Sequence, residues 1–219
     1  MRGWLGSWVI FGALLAAFAP APAVAQQQAV AGKFDYYLLT LSWSPQYCAV
    51  KGKGDAEQCA PERRYTFVAH GLWPQYEKGG YPSRCSTRER IDGATIDAQL
   101  DIMPSAGLVK HEWSVHGVCS GVGALAYFAD LRQAFQRIVL PDFYQRPTGK
   151  LSRLPSQMKR EIAAANPWLP ENAMAVVCDG QYLNELRICL DKNLNPRACS
   201  AEVRQASCRE REFIVRPVR

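Results

Sequence analysis

Phe34, Tyr36, Tyr37, Leu38, Leu39, Leu41 and Trp43 crowd aromatic and aliphatic side chains into one short segment. Such residues suit a pleated, largely buried surface, so 34–43 predicts a strand, ended by Ser44-Pro45. Residues 65–69 predict a second strand, running into a turn at His70-Gly71. Residues 96–103 predict a short helix, and 110–116 a further one closed by Gly117. Ala124, Phe128, Leu131, Phe135 and Ile138 recur every three or four positions. That is the stripe of an amphipathic helix, stopped before Pro141. Ser156 is placed to cap another helix, ending at Asn166-Pro167. Residues 173–178 and 182–190 predict two late strands, joined by a turn at Asp179-Gly180. Strands first, helices in the middle and strands last predict an α+β fold: a mostly antiparallel central sheet with several packed helices.

The N-terminal 25 residues break this pattern. Arg2 precedes an uncharged apolar run over 4–19, and Ala23-Val24-Ala25 has the small-x-small form of a cleavage site. Residues 1–25 therefore predict a secretory signal peptide, too short for a membrane span and without stop-transfer charges. No cysteine follows the run, which argues against a lipoprotein. The expected product is exported to the periplasm or medium, with no membrane anchor after processing. Residues 26–219 are expected to form a single domain, large enough to bury a core.

All eight cysteines lie in that domain: Cys48, Cys59, Cys85, Cys119, Cys178, Cys189, Cys199 and Cys208. An even count behind an export signal predicts a disulfide framework, whose connectivity the spacing leaves open. No C-x-x-C pair occurs, so zinc is not expected, and no N-x-S/T sequon is present. The net charge of +6 is compatible with a polyanionic partner, but no dense Lys/Arg run points to nucleic acid by itself.

The chemistry concentrates in two short motifs that hold all three histidines. His70 sits in His70-Gly71-Leu72-Trp73-Pro74. His111 and His116 sit in His111-Glu112-Trp113-Ser114-Val115-His116-Gly117-Val118-Cys119. Imidazole can both take and give a proton near neutral pH, so paired imidazoles beside a carboxylate suit coupled proton transfer. On a helix, with His111 at zero, Glu112 falls at about 100° and His116 at about 140°, so the two imidazoles flank the carboxylate over one arc that can line a cleft. Trp113 points elsewhere and is expected in the core or wall. The five-residue separation also excludes the H-E-x-x-H zinc site, whose histidines share one azimuth. No metal and no cofactor is expected.

These two segments resemble the active-site segments of the ribonuclease T2 family. The strand ending Trp43-Ser44-Pro45-Gln46-Tyr47-Cys48 resembles the family's first strand, and Asn184-Glu185-Leu186-Arg187-Ile188-Cys189-Leu190-Asp191 its late strand. The resemblance covers roughly 34–208. It implies a ribonuclease T2-like fold and metal-free endonucleolytic cleavage of single-stranded RNA. The products would be 2′,3′-cyclic phosphates, then 3′-phosphates, with low base specificity. DNA, lacking the 2′-hydroxyl, would not be cleaved. By resemblance His116 is the base and His70 the acid, while His111 holds a phosphate oxygen and Glu112 orients or polarises the cluster. Trp73, Tyr81 and Gln75 are the implied base-binding residues. A monomeric enzyme is implied, with disulfides Cys85–Cys119, Cys48–Cys59, Cys178–Cys208 and Cys189–Cys199.

Three positions depart from the family pattern. Val115 stands where a lysine is common, which removes a cation from beside the phosphorane; Lys110 or an arginine from another loop is the expected substitute. Gln75 replaces a frequent aspartate, and Ser42 a frequent glutamine. Val115 is also the reason to weigh an alternative: a non-catalytic RNA-binding or inhibitory relative that keeps the fold.

Overall fold

The computed structural model describes residues 29–147 and 149–218; the signal peptide expected over 1–25 lies outside them. The chain begins with strand β1 (Tyr36–Trp43), whose end runs directly into helix α1 (Ser44–Val50), with Pro45 in its first turn. Next come α2 (Ala56–Cys59), β2 (Phe67–Gln75), α3 (Gly93–Asp97) and α4 (Ala106–Val115). These are followed by α5 (Ala124–Gln136), α6 (Asp142–Gln145), β3 (Leu151–Arg153) and α7 (Pro155–Ala165). The chain closes with β4 (Met174–Asp179), β5 (Tyr182–Leu190), α8 (Ala201–Gln205) and β6 (Phe213–Val215).

The six strands form one sheet in the order β2-β1-β5-β6-β3, with β4 also paired to β5. Every pairing is antiparallel except the Tyr182–Ile214 contact between β5 and β6. This is the expected α+β architecture. β4 and β5 form a hairpin whose turn places Gly180 at φ +59°, a conformation that costs glycine little.

One face of the sheet carries the main core. Leu39, Leu41, Leu72, Val176, Leu186 and Ile188 belong to the same buried cluster as Phe128 and Leu131 of α5 and Met158 and Ile162 of α7. Val109 and Trp113 of α4 join them. A smaller cluster contains Tyr36, Leu38, Ala175 and Cys189, with α8 supplying Val203 and with Trp73 packed against it. Polar positions also occur in the central strands, and cross-strand pairing sets Thr40 beside Arg187 and Ser42 beside Glu185.

Several elements differ from the sequence expectation. β2 does not turn at His70-Gly71 but continues to Gln75. The register of β1 and β2 shifts between Thr40 and Leu41: Leu41 faces Ala69, and Thr40 faces Gly71, leaving His70 as an extra, bulged residue. Pro74 fits because β2 is an edge strand and one side of it needs no ladder donor. α3 starts earlier than expected because Asp92 accepts from the Thr95 amide at 2.8 Å and caps it. α4 also starts earlier, at Ala106, with Ser105 at the cap position. In α7, Pro155 takes the first helical position, so Ser156 lies inside the first turn rather than capping it.

Four disulfides close the fold: Cys48–Cys59, Cys85–Cys119, Cys178–Cys208 and Cys189–Cys199. Cys85–Cys119 ties the turn after α4 to the loop that follows β2, across 34 residues. No helix among the described residues is long and apolar enough to cross a membrane. Replacing Cys85 and Cys119 together by alanine frees that long loop in the unfolded chain. The double variant should lose about 2–4 kcal/mol of stability, read as a lower urea midpoint. An unchanged midpoint would show that packing alone holds the loop.

Candidate active site

The site forms where α4 lies against edge strand β2. The bulge sets His70 apart from the regular alternation of β2, so its imidazole reaches the cleft while Leu72 stays in the core. His70 remains about one-third exposed, at 32%. Gly71 follows at a place where a side chain has no room. A Cβ there would collide with Glu112 Oε2 and Trp73 Nε1. Through that gap the Trp73 indole donates to Glu112 Oε2 at 2.7 Å. Glu112 itself is 1% exposed.

α4 supplies the other imidazoles. His111 is exposed one residue before Glu112. His116 is the residue at which the helix ends, and its amide still donates to the Glu112 carbonyl at 3.0 Å. Its ring stacks on Trp73 with centroids 5.1 Å apart and lies 5.4 Å from the Tyr81 ring. The His70 ring meets Trp73 edge-on at 5.2 Å. Trp73 therefore stands between the two imidazoles. A cleft of about 400 Å³ opens beside His70 and His111, with Ser42, Lys51, Asp55 and Glu185 among its walls; His116, Trp73 and Tyr81 lie outside its lining.

The two imidazoles that flank Trp73 are pushed in opposite directions. Burial, helped by the positive charges of His111, His70 and Arg84, drives His116 down to about 4. Its Nδ1 is buried without a hydrogen-bond partner. Burial also opposes the charged form of His70, but the hydrogen bond to Glu185 and the charges of Glu112 and Glu185 outweigh it. The His70 pKa is raised above the ordinary imidazole value. Burial lifts Glu112 to about 7, against the opposing pull of His70 and Trp73. The arrangement thus favours the neutral form of His116 and the charged form of His70, with the Glu112 carboxyl titrating near 7 beside them.

His70, Glu112, His116, Trp73 and Tyr81 are brought together, with His111 at the cleft wall. Two expected substrate-binding residues are not. Gln75 is 6% exposed and its amide donates to the Pro74 carbonyl at 3.0 Å, so pairing in β2 turns it inward rather than toward a base. Lys110 lines a different cleft, with Arg84 and Trp113, because one residue step around α4 carries it away from His111. Val115 is buried and its carbonyl accepts the Arg84 amide at 2.9 Å. Trp73 spends its indole N–H on Glu112 and one face on His116, so Tyr81, 53% exposed, is the freer stacking surface.

Glu185 and Arg187 carry roles that the motifs did not reveal. Glu185 Oε1 lies 3.1 Å from His70 Nδ1, while Arg187 holds Glu185 Oε2 through Nε at 2.9 Å. The signal was present as a Glu-x-Arg pair inside a largely buried strand, where buried charge demands a partner. Among the described residues no cluster of three or more His, Cys, Asp or Glu side chains is arranged to hold a metal ion.

The Gly71 gap yields a sharp expectation. Gly71→Ala should break the Trp73–Glu112 bond and lower stability by roughly 1–3 kcal/mol, the cost of stranding a buried carboxyl. Thermal unfolding and tryptophan fluorescence of the variant check it; a wild-type melting curve would contradict the close packing.

The profile of the Ribonuclease T2 family matches residues 34–199. The chain is 36% identical to a ribonuclease of Aeromonas hydrophila, over 96% of this chain and 98% of that protein. It is 26% identical to ribonuclease I of Escherichia coli, over 86% of this chain and 87% of the other. In fold it is similar to an RNase-related protein from Calystegia sepium, with a TM-score of 0.66 at 21% identity, covering 84% of this chain and 97% of that one. A family match across most of the chain, together with a relative similar over its full length, places this protein in the ribonuclease T2 family.

Proposed function

We propose that this T2-type ribonuclease is an exported, monomeric endoribonuclease that cleaves single-stranded RNA by metal-free transesterification. The observation that carries the reading is that His116 and His70 both pack against Trp73 in surroundings that push their pKa values in opposite directions. Neutral His116 takes the proton of the ribose 2′-hydroxyl. The 2′-oxygen forms a bond to the adjacent phosphorus, and the bond from phosphorus to the 5′-oxygen breaks. Protonated His70 gives its proton to that leaving oxygen, and a 2′,3′-cyclic phosphate remains. The two residues then stand in the reverse states, ready for water to open the cyclic ester to a 3′-phosphate.

The pentacoordinate phosphorus carries extra negative charge that donors in a dry site stabilise. His111 at the cleft wall supports one oxygen. Glu112, raised to about 7 by burial, orients the cluster through the bond it accepts from Trp73 and, where ionised, favours the charged form of His70. Near Val115, where the family's lysine is missing, Arg84 lines the same separate cleft as Lys110 rather than the cleft of His70 and His111. Its backbone is pinned to the Val115 carbonyl, and its charge already acts on His116. Tyr81 offers an exposed ring for stacking, which accepts any base and supports low specificity. The four disulfides fit an oxidising compartment, and a signal peptide over 1–25 would deliver residues 26–219 there as one domain.

The oxidised protein should cleave UpA in EDTA and release uridine 2′,3′-cyclic phosphate, read by mass spectrometry, while a DNA oligonucleotide stays intact. His116→Ala should lower the rate by at least about 10²-fold while RNA binding persists. No cleavage by folded wild-type protein would favour the non-catalytic alternative. The rate should also depend on pH in a bell shape. It rises as His116 sheds its proton near 4 and falls as His70 loses its proton above the ordinary imidazole value. An alkaline optimum, with no loss of rate as His70 deprotonates, would contradict the assignment of acid and base.

A further inference from the structure

Glu185 lies on β5, which is paired on both sides by β1 and β4, and its side chain is only 7% exposed. Its two oxygens are divided between two partners. Oε1 faces His70 Nδ1 at 3.1 Å, and Oε2 receives Arg187 Nε at 2.9 Å and a terminal guanidinium nitrogen at 2.7 Å. The Arg187 guanidinium in turn sits 5.7 Å from the centre of the Trp73 ring. The other nitrogen of His70 is placed differently. Nε2 is 3.8 Å from Glu112 Oε1, beyond hydrogen-bond distance, and so has no committed acceptor there.

We propose that Glu185, clamped by Arg187, is a positioning residue for the general acid: it fixes the proton of His70 on Nδ1 and leaves Nε2 as the atom that protonates the departing 5′-oxygen. The inference rests on the assignment of His70 as that acid. An ionised carboxylate only accepts, so the imidazole nitrogen facing it must donate whether His70 is charged or neutral. The charge on Glu185 is secured despite burial, because His70 and Arg187 together hold its carboxyl below the usual glutamate value. With Nδ1 held, neutral His70 exposes its lone pair only at Nε2. The same nitrogen therefore gives the proton in the first step and takes one from water in the second.

Other charges face His70 as well. Glu112 approaches from α4 and reinforces its protonated state, while His116 on the same helix is kept neutral. His111 shares the cleft wall, and Lys51 and Asp55 border it from the segment between α1 and α2. Of these groups only Glu185 hydrogen-bonds the His70 ring.

The test compares two substrates. UpA has a poor leaving group and needs the acid. Uridine 3′-(4-nitrophenyl phosphate) releases a nitrophenolate that needs no proton. Glu185→Gln keeps the shape of the side chain and removes its charge. It should lower kcat on UpA by roughly 10²-fold or more, with KM little changed, because the imidazole loses its fixed tautomer. On the nitrophenyl ester it should retain near-wild-type kcat. The alkaline limb of the UpA pH profile should move to lower pH. Glu185→Asp should restore part of the UpA rate, and Arg187→Met, which leaves the carboxylate in place, should show the same substrate contrast more weakly. Equal losses on both substrates, or an unchanged UpA rate, would overturn the inference. A wild type inactive on both substrates would overturn the parent reading, and this inference with it.

Discussion

The Trp73–Glu112 hydrogen bond, passing over the bare backbone of Gly71, is the contact on which the site depends. It joins the edge strand β2 to α4, and each partner brings its neighbours along. Trp73 carries His70 on the strand side and supports the His116 ring on the helix side. Glu112 fixes the rotation of α4, and with it the opposite placements of exposed His111 and buried His116. A buried carboxyl is costly unless its hydrogen bonds are satisfied, so the local structure is over-determined. The Cys85–Cys119 disulfide secures the end of that helix, and the Arg84 amide beside it bonds to the Val115 carbonyl.

Burial then sorts the titratable groups. Desolvation acts on every group in the site against its charged form, and partner charges decide where that tendency prevails. His116 has no counter-anion hydrogen bond and three positive charges in its surroundings, so it stays neutral. His70 has Glu185 against its ring and Glu112 nearby, so its pKa is raised above the ordinary imidazole value. Two imidazoles of the same chemistry are thereby made unlike by what each faces. That asymmetry matters more to the proposed reaction than the identity of the residues themselves.

Much of this was legible in the sequence, because the strongest patterns there are physical ones. The apolar run of β1, the stripe of α5 and the β4–β5 hairpin lie close to their expected positions. The histidine motifs named the residues that converge. What the pattern concealed was context. His70-Gly71 reads as a turn because a glycine and a polar residue interrupt an apolar run, yet the interruption is a bulge stabilised by pairing with β1. Gln75 looks like a base-binding amide until β2 is extended far enough to bury it. Lys110 adjoins His111 in the chain, but one helical step places it on another cleft. Glu185 and Arg187 lie more than a hundred residues from His70, and only the sheet brings them together.

The chain has three histidines, so their ring nitrogens can be followed individually by ¹⁵N magnetic resonance as pH is varied. The account predicts that His116 titrates near 4 and His70 above the ordinary imidazole value, with the neutral His70 ring protonated on Nδ1. His70 and His116 titrating together at the ordinary value would contradict it, since no standing difference between acid and base would then exist.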